Sequence, residues 1–92
     1  MTANTTLHRI DPGEVARSLS EVRPALDQLH DGELLLDFSA VRRIDTAGVR
    51  ALGDLVTSVG DRTVRLTARA VCVDVYKVLK LTGLADRLSF MS

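Results

Sequence analysis

Apolar residues recur at helical spacing in two long segments of the chain. The first series comprises Val15, Leu19, Val22, Leu26 and Leu29. The second comprises Val49, Leu52, Leu55, Val56 and Val59. Steps of three and four residues place such side chains on one face of an α-helix. The pattern therefore predicts two amphipathic helices.

Residues around the first segment indicate where its helix begins and ends. Asp11-Pro12-Gly13-Glu14 is typical of a helix start, with a capping carboxylate and Pro in the first turn. His30-Asp31-Gly32 predicts the end, because Gly readily adopts a left-handed cap. Pro24 interrupts the segment, and we expect a kink or two short helices there.

Strand patterns separate the predicted helices. The apolar run Leu34–Phe38 predicts a buried strand, and the alternating run Thr63–Thr67 predicts another. Leu7–Ile10 and Leu88–Phe90 give shorter strand signals. The segment 71–81 fits either period, but Lys77 breaks the strand alternation and Thr82-Gly83 offers a helix end, which favours a helix. Strands separated by helices imply right-handed crossovers and a largely parallel sheet, so the fold class is α/β.

Composition narrows the class of protein. The 92 residues suit one domain over 1–92, with residues 1–6 expected to fray, and only 3% aromatic residues imply an aliphatic core. Twelve basic and twelve acidic residues give a net charge of zero. The overall charge therefore provides no general electrostatic attraction to nucleic acids or anionic membranes. Because there is one cysteine, no basic-then-apolar leader and no long apolar run, we expect a cytoplasmic protein without membrane insertion.

The sequence offers little for catalysis. His8 and His30 lie apart from other plausible ligands, and Cys72 sits in a valine-rich segment that suggests a small core residue. The one glycine of Asp45-Thr46-Ala47-Gly48 does not make a phosphate-binding loop. We therefore expect no catalytic residue, no metal and no cofactor.

Two interpretations, one structural and one functional, fit the polar residues Asp37, Asp45 and Thr46. On spacing alone the structural one is favoured, in which Asp45 or Thr46 caps the helix and Asp37 closes a strand. In the functional one, a hydroxyl at the carboxyl end of a parallel strand is presented to a partner. Phosphorylation there would add about −1.5 to −2 charges, which the helix dipole tolerates and the two carboxylates oppose.

These residues also carry a resemblance. The strand with Asp37, followed by Val41, Ile44 and Asp45-Thr46-Ala47-Gly48, resembles the STAS domain of bacterial anti-sigma-factor antagonists. A second block, Val78–Leu84, is similar to the end of that family's last helix. The resemblance implies a four- to five-stranded, mostly parallel or mixed sheet with three to four helices, and no enzymatic activity.

The resemblance also implies a mechanism and a set of site residues. Thr46 corresponds to the phosphoacceptor, modified by an anti-sigma factor with a kinase-type ATPase domain that the unmodified protein binds. The expected partner surface comprises Asp37, Ser39, Arg42, Arg43, Asp45, Thr46, Ala47, Gly48 and Arg50. Arg42 and Arg43 would steer an acidic partner or form a solvated loop pair. A weak homodimer is left open.

Two departures from the family pattern widen the choice of partner. The N-terminal hairpin is shortened or lost, because Leu7–Asp11 is all that corresponds to it, and Thr replaces the commoner Ser at position 46. In having Thr at this position, the chain resembles stressosome-type scaffold subunits. It also resembles the STAS subunit of lipid-transporting, Mla-type ABC transporters. In the latter, the resemblance implies docking on the transporter ATPase with no phosphate on Thr46.

Overall fold

The structure is a computed structural model that describes residues 5–29, 31–60 and 63–91. The elements in chain order are β1 Thr5–Arg9, α1 Val15–Gln28, β2 Asp31–Asp37, α2 Thr46–Val59, β3 Thr63–Arg69, α3 Val73–Leu81 and β4 Ser89–Met91, with a 3₁₀ turn at Leu84–Arg87. The four strands form one sheet in the order β1-β2-β3-β4, and every neighbouring pair is parallel. The predicted α/β fold with a parallel sheet is confirmed.

The core lies between one face of this sheet and the helices. Leu34 and Leu36 of β2 are buried beside their register partners Leu66 and Ala68. The helices contribute buried residues to the same cluster, among them Leu19, Leu26, Leu52, Leu55, Val75 and Leu79. Arg65 and Arg69, on the opposite face of the sheet, are exposed. Each strand pairs with the next strand along the chain, and the helices form the connections between them. When all such connections have the same handedness, the helices lie on a single face of the sheet, in agreement with the single buried cluster.

Helix α1 begins later than the sequence pattern predicted. Asp11 Oδ1 accepts a hydrogen bond from Gly13 N at 2.8 Å, and Glu14 N donates to Asp11 O at 3.1 Å. These bonds close a turn over Asp11–Glu14, and the helix starts at Val15. The Asp11 carboxylate therefore satisfies its own local turn, a common alternative to capping a helix.

The middle and end of α1 also differ from expectation. One helix runs through Pro24 from Val15 to Gln28, so of the two expected outcomes, a kink or two short helices, the second is wrong. Ser20, whose carbonyl loses its helical donor at Pro24, is exposed, so water can replace that bond. Leu29 ends the helix in an extended conformation, and Gly32, at φ +107°, lies within β2. Gly32 is not the helix cap; His30 lies outside the described residues.

The remaining boundaries shift by a few residues. Thr5 and Thr6, expected in the frayed end, pair with Glu33 and Leu34 of β2 and belong to the sheet, while residues 1–4 lie outside the described part of the chain. The choice of a helix over 71–81 is confirmed, since α3 covers Val73–Leu81. Gly83 follows it at φ +82°, a left-handed conformation that favours glycine.

Candidate functional site

Thr46 is the first residue of α2, and its neighbour Asp45 supplies the cap. Asp45 is extended, and its Oδ1 accepts a hydrogen bond from Gly48 N at 2.8 Å. That bond satisfies one of the donors that a first helical turn leaves unpaired. Thr46 is exposed, and its hydroxyl makes no hydrogen bond to any described residue. The capping role belongs to Asp45, and the Thr46 hydroxyl remains available.

The loop from β2 to α2 is held by three buried side chains, those of Phe38, Val41 and Ile44. Phe38 N donates to Arg69 O at 2.9 Å, and Val41 N donates to Phe38 O at 2.9 Å. The loop therefore has fixed anchors at its start, middle and end. The residues between the last two anchors, Arg42 and Arg43, are exposed.

Asp37 shapes the start of this loop from inside the protein. It is 6% exposed, its Oδ1 accepts from Ser39 N at 2.9 Å, and its Oδ2 lies 3.9 Å from Arg9 Nε. Hydrogen bonds from the Ser39 backbone and hydroxyl lower the pKa of this carboxyl. The positive charges of Arg69 and Arg9 lower the pKa further, whereas desolvation by burial acts in the opposite direction. Asp37, predicted in the partner surface, is instead a buried support for Ser39.

Gly48 is also buried, although it was expected at the surface. A β-carbon at this position would lie 2.8 Å from Ile44 Cγ1, 3.2 Å from Val15 Cγ1 and 3.3 Å from Asp45 Oδ1. The absence of a side chain thus lets α2 approach both α1 and the loop closely. Gly48 therefore acts on the site through packing.

Helix α3 contributes residues that the sequence did not assign to the site. Ile44, Asp45, Thr46 and Val49 line a groove of about 380 Å³ together with Val78 and Thr82. The block Val78–Leu84 was a sequence signal for this helix, but nothing in it indicated contact with Thr46. Thr82 Oγ1 donates to Val78 O at 3.0 Å, so its hydroxyl is bound within its own helix.

A second hollow lies on the other side of Asp45. It measures about 180 Å³ and is lined by Pro12, Gly13, Val15, Arg43 and Asp45. The turn before α1, whose residues were predicted to start the helix, therefore forms part of the surface. Asp45 lines both hollows, and Thr46 lies next to it at the rim of the larger one.

Cys72 joins the loop to α3. Its Sγ lies 3.6 Å from Arg42 O, a weak hydrogen bond, and the residue occupies the position before the first turn of α3. Cys72 is half-buried against the core, close to its expected packing role. The contact helps fix the backbone that presents Arg42.

The exposed charges around Thr46 are mostly positive. Arg42, Arg43 and Arg50 are exposed, and Asp45 is the exposed carboxylate among the predicted site residues. Arg50 follows Thr46 by four positions on α2, a spacing that puts the two side chains on the same helical face. Ser39 and Ala47 are exposed as well. Seven of the nine predicted surface residues thus reach solvent, all but Asp37 and Gly48.

Other kinds of site receive no support from the described residues. They contain no group of three His, Cys, Asp or Glu side chains arranged to hold a metal ion. His8 Nε2 is buried without a hydrogen-bond partner among them, in β1. No described helix has both the length and the apolar character needed to cross a membrane.

Comparison with known proteins agrees with this architecture. A solved structure of a protein from Thermotoga maritima, provisionally described as an anti-sigma factor antagonist, matches with a TM-score of 0.71 and 18% identity, covering 100% of this chain and 76% of that one. A sulfate transporter family protein from Wolinella succinogenes matches with a TM-score of 0.76 and 22% identity, covering 98% of this chain and 80% of the other. At such identities the likeness shows the fold. No curated protein matches the sequence.

The family follows from a match that covers most of the sequence. The model of the MlaB-type STAS domain matches residues 9–91, which include every element from α1 to β4 and the whole surface around Thr46. The chain belongs to the STAS domain family.

Proposed function

We propose that this chain is a non-catalytic docking domain whose partner binds around Thr46 and is released when Thr46 is phosphorylated. The observation that carries the proposal is the Thr46 hydroxyl, exposed and unbonded among the described residues, on a helix terminus fixed by the Asp45 cap and buried loop anchors. A rigid backbone lowers the entropy lost when a partner binds.

Charge explains how phosphorylation would act as a switch. Among the predicted site residues, three arginines and one carboxylate, that of Asp45, are exposed. A phosphate adds about −1.5 to −2 charges and would cancel this positive excess. Asp37 was expected to oppose the phosphate, but it is buried near Arg9 and opposes it less. An acidic partner surface would lose its attraction and face an anion that it must desolvate.

The fold would tolerate the modification. The γ-phosphoryl group of ATP would pass to Thr46 Oγ1, the hydroxyl would lose its proton, and ADP would leave. The phosphate would then sit at the positive end of α2, within reach of Arg50 one turn further on. The switch therefore acts on binding, with the domain still folded.

The partner that we propose is an anti-sigma factor with a kinase-type ATPase domain. It would contact the exposed residues Ser39, Arg42, Arg43, Asp45, Thr46, Ala47 and Arg50 and would be held away from its sigma factor. The fold likeness to the Thermotoga protein supports this choice.

A second candidate is a subunit that docks on the ATPase of an ABC transporter. The observation that favours it is the MlaB-type character of the matching family model. In this case the same surface would bind constitutively, and Thr46 would be an unmodified contact.

Affinity capture separates the two candidates. Wild type, Thr46→Ala, Thr46→Glu and Thr57→Glu serve as baits; Thr57 is an exposed threonine near the other end of α2 and is the matched control. A kinase-type ATPase held by all baits except Thr46→Glu, with phosphate on Thr46 of the wild type, supports the switch. An ABC-type ATPase with no phosphate on Thr46 supports the second candidate. Binding that Thr46→Glu leaves unchanged rejects the proposed surface.

A further inference from the structure

Strand β3 has an open edge along its first half. It spans seven residues, Thr63–Arg69, and in the described part of the chain β4 pairs with the last three of them. Before Ser89 the chain runs through the 3₁₀ turn Leu84–Arg87 and lies outside the sheet. A hollow of about 330 Å³ lies beside the open half of β3, and we call it the β3 slot. Its lining comprises Val56, Val59, Val64, Arg65, Leu66, Arg87 and Ser89.

The backbone groups of Val64 and Leu66 point towards the slot. Ala70 N donates to Met91 O at 3.0 Å, so Ala70 directs its polar backbone groups to the side of β4. Every second residue of a strand points the same way, which includes Leu66 and Val64. The ladder with β4 begins at Thr67, and no other described residue bonds the Leu66 N–H or the polar backbone groups of Val64. These groups are free to pair with an added strand.

The wall of the slot on the helix side is apolar. The side chains of Val64 and Leu66 belong to the core face of the sheet and are buried. Val56 and Val59 come from the last turns of α2 and line the slot above them. A side chain that enters the slot on this face therefore meets hydrocarbon.

The charges of the slot are positive. Arg65 lies on the opposite face of the sheet from the apolar wall, Arg87 lies in the 3₁₀ turn, and both are exposed. Neither forms an ion pair among the described residues. Glu33 is the register partner of Arg65 on β2, but its Oε2 accepts a hydrogen bond from Thr67 Oγ1 at 2.7 Å. The lining of the slot contains two arginines and no carboxylate.

We propose that the β3 slot binds an extended acidic peptide segment of a partner protein, with the side-chain pattern apolar–acidic–apolar. The segment adds a short strand in line with β4 and pairs with Val64 and Leu66. An open strand edge presents both donors and acceptors. A peptide backbone supplies both kinds of partner, whereas a simple anion supplies acceptors alone. The two arginines favour acidic side chains on the segment.

Strand geometry determines the order of the side chains in the bound segment. The residue opposite Arg65 lies on the same face of the sheet as Arg65, where a carboxylate meets the guanidinium group. The residues before and after it lie on the other face, against Val56 and Val59, and are therefore apolar. Three residues span about 10 Å, within the roughly 13 Å of the open half of β3. The pattern reads the same in both chain directions.

The slot is separate from the surface around Thr46. Thr46 begins α2, whereas Val56 and Val59 lie about 15 Å or more further along the helix axis. Arg65 and Arg87 are not among the residues that we propose to contact the partner there. The inference therefore does not depend on the function proposed for Thr46, and both surfaces are free to be occupied at once.

An NMR titration of the ¹⁵N-labelled chain tests the slot with two capped peptides. One is Gly-Ser-Val-Glu-Val-Ser-Gly, and the other has Lys in place of Glu. The glutamate peptide should bind with a dissociation constant on the order of 1 mM, because the contact is small. The amide signals of Val64 and Leu66 should shift, that of Leu66 downfield because its N–H gains an acceptor, while the Thr46 signal stays in place. The lysine peptide should bind at least about tenfold more weakly.

Arginine variants test the charge selection. Arg65→Glu and Arg87→Glu should each weaken binding of the glutamate peptide at least about threefold. The double variant should prefer the lysine peptide. Arg23→Glu is the matched control, because Arg23 is exposed on α1 and lies outside the slot, and it should bind like wild type.

Several results would overturn the proposal. The first is the absence of saturable shifts at Val64 and Leu66 up to about 10 mM glutamate peptide. The second is equal binding of the two peptides, or equal binding of the glutamate peptide by the double variant and the wild type. The third is a set of equal shifts produced by sodium phosphate at the same concentration, which would indicate a site for simple anions and not for a strand.

Discussion

Gly48 lies so close to Ile44 that a β-carbon on the glycine would come within 2.8 Å of Ile44 Cγ1. The contact joins the first turn of α2 to the last anchor of the preceding loop. The backbone that presents Thr46 therefore depends on a buried glycine two positions further along the chain.

Substitution of this glycine should destabilise the domain in spite of the better helix propensity of alanine. In Gly48→Ala, the higher helix propensity of alanine should raise the free energy of unfolding by about 1 kcal/mol. Overpacking of the site should lower it by about 1–3 kcal/mol. We expect a net loss of up to about 2 kcal/mol by urea unfolding. Gly53→Ala in the same helix is the control, because its nearest foreign atom is 3.8 Å away, and it should gain about 0.5–1 kcal/mol. Equal effects of the two variants would contradict the close contact at Gly48.

Asp37 should make the stability of the domain fall in acid. Its pKa is lowered in the folded state, chiefly by the hydrogen bonds from Ser39, so the unfolded chain binds the proton more readily. The stabilisation is present above the ordinary carboxyl pKa near 3.8 and disappears as the pH falls through the lower pKa of the folded protein. Thermal melts between neutral pH and pH ~3 should show a smaller loss for Asp37→Asn than for wild type. Parallel curves for the two proteins would refute this role.

Thr46→Glu should leave the fold intact or strengthen it slightly. A carboxylate in the first turn of α2 meets the helix dipole and lies one turn from Arg50, which together are worth about 0.3–1 kcal/mol. Denaturant midpoints of Thr46→Glu with and without Arg50→Ala would show the Arg50 contribution. A large destabilisation by Thr46→Glu would mean that loss of partner binding in this variant reports unfolding and not a switch.

Arg42 and Arg43 should matter to the partner and little to the fold. Both are exposed between buried anchors, so replacing them with Glu should change stability by less than about 0.5 kcal/mol. Once the partner is identified, titration calorimetry of Arg42→Glu/Arg43→Glu should show binding weakened about tenfold or more, with a reduced dependence on salt. Arg87→Glu, exposed near the start of β3, is the control and should bind normally. Equal losses in both proteins would point to a general charge effect.

Much of this protein is determined by local sequence. The apolar spacing of α2 and the alternation in β3 gave the right element types, because side-chain periodicity follows directly from backbone geometry. The motif around Asp45 and Thr46 likewise placed a cap and an exposed hydroxyl at one helix terminus, because a cap needs atoms that are only three residues apart.

The tertiary structure decided what local patterns leave open. It turned Asp37 and Gly48 inward. It also brought Val78 and Thr82 of α3 to the groove beside Thr46. These outcomes depend on residues that are distant in the chain, since Arg9 lies beside Asp37, Val15 lies beside Gly48 and Phe38 N donates to Arg69 O. No local window of sequence contains both partners of such a contact.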